Sequence, residues 1–218
     1  MNIRRYFPIM ADKRIESLLR NWQKRNISGF YCDNKEGALG KALEIIPASV
    51  SIGISGSVTL DQLGLVKRLE ERGNKVINQY KPGLSREESL ALRRQGMEAD
   101  FYLASANAIA ESGEMVFFSG YGNRTAGIAY GKNALIIAGI NKITPDLESA
   151  MKRAREHATP LNCKRLNWGS ACFADGVCHN EQCFSPEYKR MCCQILTIEA
   201  EAAPDRLKVI LVGENLGF

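Results

Sequence analysis

The amino-acid sequence predicts an α/β fold built on an open, mostly parallel sheet. Short apolar runs of strand length alternate along the chain with segments of helical period, which is the pattern of such folds. The regular pattern stops after Pro160, and residues 162–193, rich in Cys, Gly and Asn, show no sustained period. With 218 residues, of which 45% are hydrophobic, the chain is long enough to bury one full core.

The helices and strands are predicted from the spacing of apolar residues and from the residue types that begin helices. Apolar residues from Ile15 to Trp22 recur at helical spacing and predict an amphipathic helix over 12–26. Ser85 and Glu88 form an S-x-x-E capping box at the start of another helix. Further helices are predicted over 35–46, 60–72, 85–94, 125–130 and 147–157, and strands over 50–54, 76–77, 101–103, 115–118, 135–137, 195–198 and 209–212. The last two strands are expected to form a closing hairpin at one sheet edge.

Composition excludes several classes of partner. The net charge of +5 comes from 29 basic and 24 acidic residues mixed along the chain, which tolerates a small anionic ligand but lacks the basic stripe of a nucleic-acid-binding protein. The apolar run Ala134–Ile140 is far too short to cross a membrane. No apolar stretch before Asp12 is long enough for a signal peptide, so a cytoplasmic protein is expected.

Cysteines are concentrated near the C-terminus, where six of the seven lie between Cys163 and Cys193. In a reducing compartment such a group predicts a metal or redox site, and thiolates suit an iron–sulfur cluster or, as the alternative, zinc. Free thiols or a transient disulfide are the remaining alternative. The expected ligands are Cys172, Cys178, Cys183 and Cys192, with Cys193 in reserve. Cys32 is expected to be a core residue.

Two glycine-containing loops lie where an α/β protein binds anions. The first follows the strand over 50–54, and the second, Gly120–Arg124, follows the strand over 115–118. Neither loop matches a dinucleotide or Walker motif, and each glycine could instead serve only a tight turn. The two loops are expected to face one cavity at the carboxyl edge of the sheet and to bind a carboxylate or phosphate, mainly through Arg124. The candidate ligand-binding residues are Gly56, Ser57, Thr59, Gly120, Gly122, Asn123 and Arg124.

Several segments resemble one known family. The runs GISGSVTLDQLGL, ADFYLASANAIAESGEMVFFSGYGNRTAGIAYG, IIAGINKIT and TPLNCKRLN are similar to the LUD (lactate-utilisation) domain family. The resemblance implies a three-layer α/β fold like those of ribose-5-phosphate isomerase and CoA-transferases. It also implies a link to oxidation of lactate or other hydroxy acids, and an iron–sulfur oxidoreductase as a partner.

The resemblance extends to the cysteines and to one carboxylate. A family subgroup carries a tail of the form C-x5-C-x2-C-S-P-x-R-x-C, onto which the four expected ligands and Pro186 map, although the middle gap is two residues longer here. CoA-transferases carry a nucleophilic glutamate in a Ser-Glu-Asn-Gly turn, and Glu111 in Glu111-Ser112-Gly113 is similar. Glu111 is therefore the candidate catalytic residue.

Three function classes remain open. The first is a redox-linked protein of hydroxy-acid metabolism, the second a CoA-transferase-like or sugar-phosphate-isomerase-like enzyme using Glu111 with structural zinc, and the third a non-catalytic binding or regulatory module. The expected division is an α/β domain over 1–160, a cysteine-rich segment over 161–193 and closing strands over 194–218. The oligomeric state is left open, with a homo-oligomer as one alternative.

Overall fold

The computed structural model describes residues 6–218, with side chains from residue 13 onward. The helices are α1 (Tyr6–Lys24), α2 (Lys35–Ile45), α3 (Val58–Leu63), α4 (Leu65–Glu71), α5 (Arg86–Met97), α6 (Asn123–Tyr130), α7 (Leu147–Arg153) and α8 (Thr159–Arg165). The strands are β1 (Ser28–Cys32), β2 (Ser51–Ile54), β3 (Lys75–Ile77), β4 (Phe101–Ala104), β5 (Ala108–Ala110), β6 (Met115–Ser119), β7 (Ala134–Gly139), β8 (Ile143–Thr144), β9 (Gln194–Ile198) and β10 (Leu207–Val212).

Six strands form a parallel sheet in the order β1-β10-β7-β4-β2-β3. A second, mixed sheet has the order β8-β5-β6-β9, in which β6 is antiparallel to both neighbours. The predicted α/β class with a mostly parallel sheet is therefore confirmed.

Two apolar clusters cover the two faces of the six-stranded sheet. Successive residues of β4 alternate between them: Phe101 and Leu103 pack with α2, α3 and α4, whereas Tyr102 and Ala104 pack with α1 and the second sheet. Burial of both faces explains why β4 and β7 are continuously apolar, without the alternation of a half-exposed strand. The fold consequently has three layers.

Local signals place several helix starts. The predicted capping box is confirmed, since Ser85 N donates to Glu88 Oε2 at 2.7 Å and Glu88 N donates to Ser85 Oγ at 3.2 Å. Asp146 caps α7 by accepting from Ser149 N at 2.7 Å. The predicted helix over 60–72 is instead two helices, because Gly64 adopts a left-handed φ of 64° and ends α3.

The predicted closing hairpin is wrong. β9 pairs antiparallel with β6 in the second sheet, whereas β10 lies inside the parallel sheet between β1 and β7. The supposed irregular stretch also begins later than predicted, because α7 continues through a π-helical turn, Ala154–Ala158, into α8. After α8, the only helical elements in the described cysteine-rich segment are two short 3-10 turns, Ala171–Phe173 and Asn180–Cys183. Among the described residues, no helix is both long enough and apolar enough to span a membrane.

Candidate functional site

A cavity of about 520 Å³ opens where the carboxyl ends of β2, β3 and β6 meet α5, α6, α8 and the end of the cysteine-rich segment. Ligands of open α/β sheets bind at this edge because strand-end loops and helix N-termini converge there. Its lining includes Gly56, Tyr80, Arg93, Phe118, Gly120, Tyr121, Asn123, Arg124, Arg165, Trp168, Tyr188, Arg190 and Cys193.

Both predicted loops reach this cavity, but only some of their residues line it. Gly56 follows β2, and its N–H donates to the Tyr80 hydroxyl at 2.8 Å. Ser57 Oγ instead accepts from Leu60 N at 3.3 Å and caps α3. Gly56, Gly120, Asn123 and Arg124 line the cavity, whereas Ser57, Thr59 and Gly122 do not. The ligand-binding role of all seven stays a prediction.

Arg124 is held at the start of α6 by two carbonyl groups. Its Nη1 donates to Phe118 O at 3.2 Å and its Nη2 donates to Ser105 O. Its Nε is buried and has no hydrogen-bond acceptor among the described residues. Burial lowers the pKa of the Arg124 guanidinium, because the charged form is desolvated without a carboxylate to compensate. An anionic ligand would supply both the missing acceptor and the missing charge.

Three further arginines line the cavity. Arg93 lies over the Tyr121 ring at 4.5 Å, Arg165 donates to Asn162 Oδ1, and Arg190 Nε donates to Cys192 O at 3.1 Å. None of the four forms an ion pair in the part of the chain that the structure describes, and no Asp or Glu lines the cavity. The cavity therefore carries a concentrated positive charge.

A buried lysine lies at the same edge of the sheet, and the sequence analysis missed it. Lys142 Nζ is 3.0 Å from Thr59 Oγ1 and 2.8 Å from Ser105 Oγ. Burial lowers the pKa of Lys142 well below its ordinary value, and the nearby charges of Arg124 and Arg153 lower it further. Ser105 links this cluster to Arg124 through its carbonyl oxygen, so Lys142, Ser105 and Thr59 form a polar cluster that contacts Arg124 but does not line the cavity.

The four predicted cysteine ligands line one small cavity of about 10 Å³, together with Cys163. Cys163 lies on α8, is fully buried and was not among the predicted ligands. No acidic residue lines this small cavity. Among the side chains that the structure describes, no three of His, Cys, Asp or Glu are grouped closely enough to hold a single metal ion. Cys193, the reserve ligand, lines the large cavity instead.

Burial controls the thiols of the small cavity. It raises the pKa of Cys163 to about 12 and also raises the pKa values of Cys178 and Cys192. Protonated thiols are poor ligands, so metal binding here must release protons and is favoured at higher pH. Arg190, Met191, Cys192 and Thr159 line both cavities, which therefore share one wall.

Glu111 lies apart from the large cavity, on the turn that follows β5. Its carboxylate pairs with Arg14 Nε at 2.5 Å, and its carbonyl oxygen accepts from Asn21 on α1 at 2.8 Å. These contacts tie the β5–β6 turn to α1, which is a structural role. The catalytic role of Glu111 stays a prediction, and nothing in its surroundings favours it.

The family follows from a match to a protein-family model. The model of the LUD domain matches residues 15–212, which is most of the chain. The chain belongs to the LUD domain family. LUD domains are generally associated with lactate utilisation. A solved structure of a DUF162 family protein from Deinococcus radiodurans is similar to this LUD domain, with 14% sequence identity and a TM-score of 0.48, covering 92% of this chain and 94% of that one. No curated protein matches the sequence.

Proposed function

We propose that this LUD domain takes part in the oxidation of lactate or related hydroxy acids. In this proposal the large cavity binds the anionic metabolite, with its carboxylate at Arg124. The cysteine-rich segment binds an iron–sulfur cluster, or zinc as the alternative, through Cys172, Cys178, Cys183 and Cys192. An iron–sulfur oxidoreductase is the proposed partner, because the oxidation needs an acceptor for the electrons.

One observation carries the anion-binding part of the proposal: four arginines without ion pairs line a cavity that contains no carboxylate. Guanidinium groups bind carboxylates through two parallel hydrogen bonds, and burial strengthens such contacts. Arg124 has its buried Nε free for an acceptor. A hydroxy acid offers a carboxylate to this donor and a hydroxyl to the neighbouring polar groups.

The thiol-lined cavity supports the metal-binding part. An iron–sulfur cluster is held by four thiolates that surround an inorganic core, whereas one zinc ion needs its ligands to meet at a point. The five cysteines that line this cavity could supply the thiolates that either group requires. The volume of about 10 Å³ admits an object of about one water, so a cluster requires the surrounding segment to move outward. When bound, a cluster would supply one-electron transfer next to the large cavity.

Calorimetric titration with lactate tests the anion site. Arg124→Lys should weaken binding about tenfold or more although it keeps the charge, because an ammonium cannot make the planar two-point contact. Arg155→Lys is the matched control, since Arg155 lines only the small cavity. Equal affinities in wild type and Arg124→Lys would contradict the proposal. If Glu111→Gln loses turnover but still binds its ligand like the wild type, the transferase-like alternative would be favoured.

Metal analysis after anaerobic purification tests the cysteine site. We expect iron and acid-labile sulfide in the wild type, and their loss in Cys183→Ser. Zinc without sulfide would select the zinc alternative. Protein that contains neither metal while its cysteine-rich segment remains ordered would refute the site.

A further inference from the structure

The large cavity is much larger than lactate. Its volume of about 520 Å³ lies within the range of cavities that enclose ligands of drug-like size. A water molecule takes roughly 30 Å³ of liquid volume, so a three-carbon acid would fill only a small part of the space. A ligand matched to this cavity carries a substantial group beyond its carboxylate.

Part of the cavity wall is aromatic. Tyr121 and Trp168 meet edge to face, with ring centroids 6.4 Å apart, and Arg93 covers Tyr121. Tyr80, Tyr188 and Phe118 also line the cavity. The same cavity therefore combines arginines, which recognise an anion, with rings, which recognise another ring.

Two of the rings that line the cavity are exposed rather than packed in the core. Tyr121 is 56% exposed and Tyr188 is 66% exposed, although both are large and apolar over most of their surface. Their side chains face a concave and positively charged space, unlike the isolated Tyr130, which is 94% exposed and does not line the cavity. Contiguous exposed apolar surface in a concavity is typical of a ligand site.

We propose that the cavity is specific for 2-hydroxy acids that carry an aromatic side chain, of the aryl-lactate class, with the ring against Tyr121 and Trp168 and the carboxylate at Arg124. This inference rests on the proposed function, because it names the substrate class of the same site. The aromatic side chain accounts for the size of the cavity, and its contact with the rings removes apolar surface from water.

Calorimetric titration of the full-length protein with matched compounds tests the inference. Phenyllactate and indole-3-lactate should bind at least about tenfold more tightly than lactate, because ring burial adds to the shared carboxylate contact. 2-Phenylethanol, which has the ring without the carboxylate, should bind far more weakly than phenyllactate.

A pair of variants locates the ring. Tyr121→Leu should weaken phenyllactate binding roughly threefold to tenfold, and by a larger factor than it weakens lactate binding. Tyr130→Leu makes the same change at the last residue of α6, outside the cavity, and should alter neither affinity. Thermal melts of both variants would confirm that they fold.

The outcomes separate the inference from the proposed function. Equal affinity for lactate and the aryl-lactates would overturn the inference and leave the proposed function standing. No binding of any hydroxy acid would overturn both. A Tyr121→Leu variant that loses lactate and phenyllactate affinity to the same extent would refute the placement of the ring.

Discussion

Gly53 on β2 allows α5 to contact the sheet backbone directly. A Cβ atom on Gly53 would lie 1.9 Å from the carbonyl oxygen of Gly96 on α5, a separation that only a shift of the helix could relieve. Because α5 also carries Arg93, the same contact fixes the position of one arginine of the large cavity. Gly53 thus helps to determine where Arg93 lies in the cavity.

Gly53→Ala should lower the free energy of unfolding by about 3 kcal/mol, because the clash is with backbone rather than with a flexible side chain. Urea denaturation would measure the loss. Gly40→Ala on α2 is the control, since a Cβ there meets nothing within 4 Å, and alanine should stabilise that helix by about 0.5–1 kcal/mol. An unchanged midpoint for Gly53→Ala would contradict the close contact.

Lys142 should give stability a distinct pH dependence. Its folded-state pKa is well below its unfolded value, so between the two values the unfolded chain binds more protons and stability rises with pH. Compared with Lys142→Met, the wild type should gain up to about 1.4 kcal/mol for each pH unit within this window. Urea titrations between pH 7 and 10 would measure it.

An exposed lysine provides the reference for that experiment. Lys67, whose side chain is 81% exposed, is replaced in the control variant Lys67→Met, and both variants are measured over the same pH range. A constant difference for Lys142→Met would show that Lys142 keeps its ordinary proton affinity.

Among the elements, the cysteine-rich segment has the least regular backbone bonding. A few side chains hold it: Trp168 Nε1 donates to Lys189 O at 3.0 Å, and Arg190 Nη1 donates to Asn180 Oδ1 at 2.5 Å. Its end is anchored to the second sheet, where Cys193 N donates to Ser119 O at 3.1 Å. Ligation of the thiols would therefore contribute much of the order of this segment.

Cys178→Ser should loosen the segment without unfolding the sheets. Trypsin should cleave after Lys189 and Arg190 about tenfold faster in the variant than in the metal-loaded wild type, while the far-UV circular dichroism stays similar. Cys32→Ser makes the same substitution outside the segment and should leave cleavage unchanged. Equal cleavage of wild type and Cys178→Ser would show that the thiols do not order the segment.

At the scale of single elements, the spacing of apolar residues predicted most helices and the central strands, but it did not predict the shortest strands. β1 was not predicted, because its sequence, SGFYC, shows neither a long apolar run nor a regular alternation of apolar and polar residues. This matches its burial in the fold, where all five residues are partly buried. The two glycine-containing loops were recognisable because they follow apolar strands. The sequence did not reveal three other residues of the cavity, Tyr80, Arg93 and Trp168. They lie on three separate segments of the chain and come together only in the folded protein.

At the scale of the whole molecule, the last strand in chain order occupies an interior position of the main sheet. β10 lies between β1 and β7, and the register pairs Ser28 with Lys208. The hydrophobic pattern did not indicate this position, because β9 and β10 are equally consistent with two neighbouring strands. Only the packing of β10 into both apolar clusters distinguishes the two arrangements.

A chain that ends at Arg206 should fail to form the main sheet, because β1 would lose its partner and β7 an interior neighbour. We expect loss of the cooperative thermal transition, and aggregation in size-exclusion chromatography. Full-length Leu211→Ala should stay folded with a loss of about 2–5 kcal/mol, since Leu211 is fully buried. A monomeric truncated chain with a cooperative transition would contradict the role of β10.

The interior position of β10 also has a consequence for biosynthesis. As the nascent chain leaves the ribosome, β1 emerges long before its pairing partner β10, because the paired residues Ser28 and Lys208 are far apart in the sequence. Until then both β1 and the adjacent edge of β7 present unpaired backbone groups, the kind of surface that invites aggregation and binds chaperones. The main sheet can therefore close only after β10 has been synthesised, and its folding is expected to be slow, as is typical of sheets closed by distant segments.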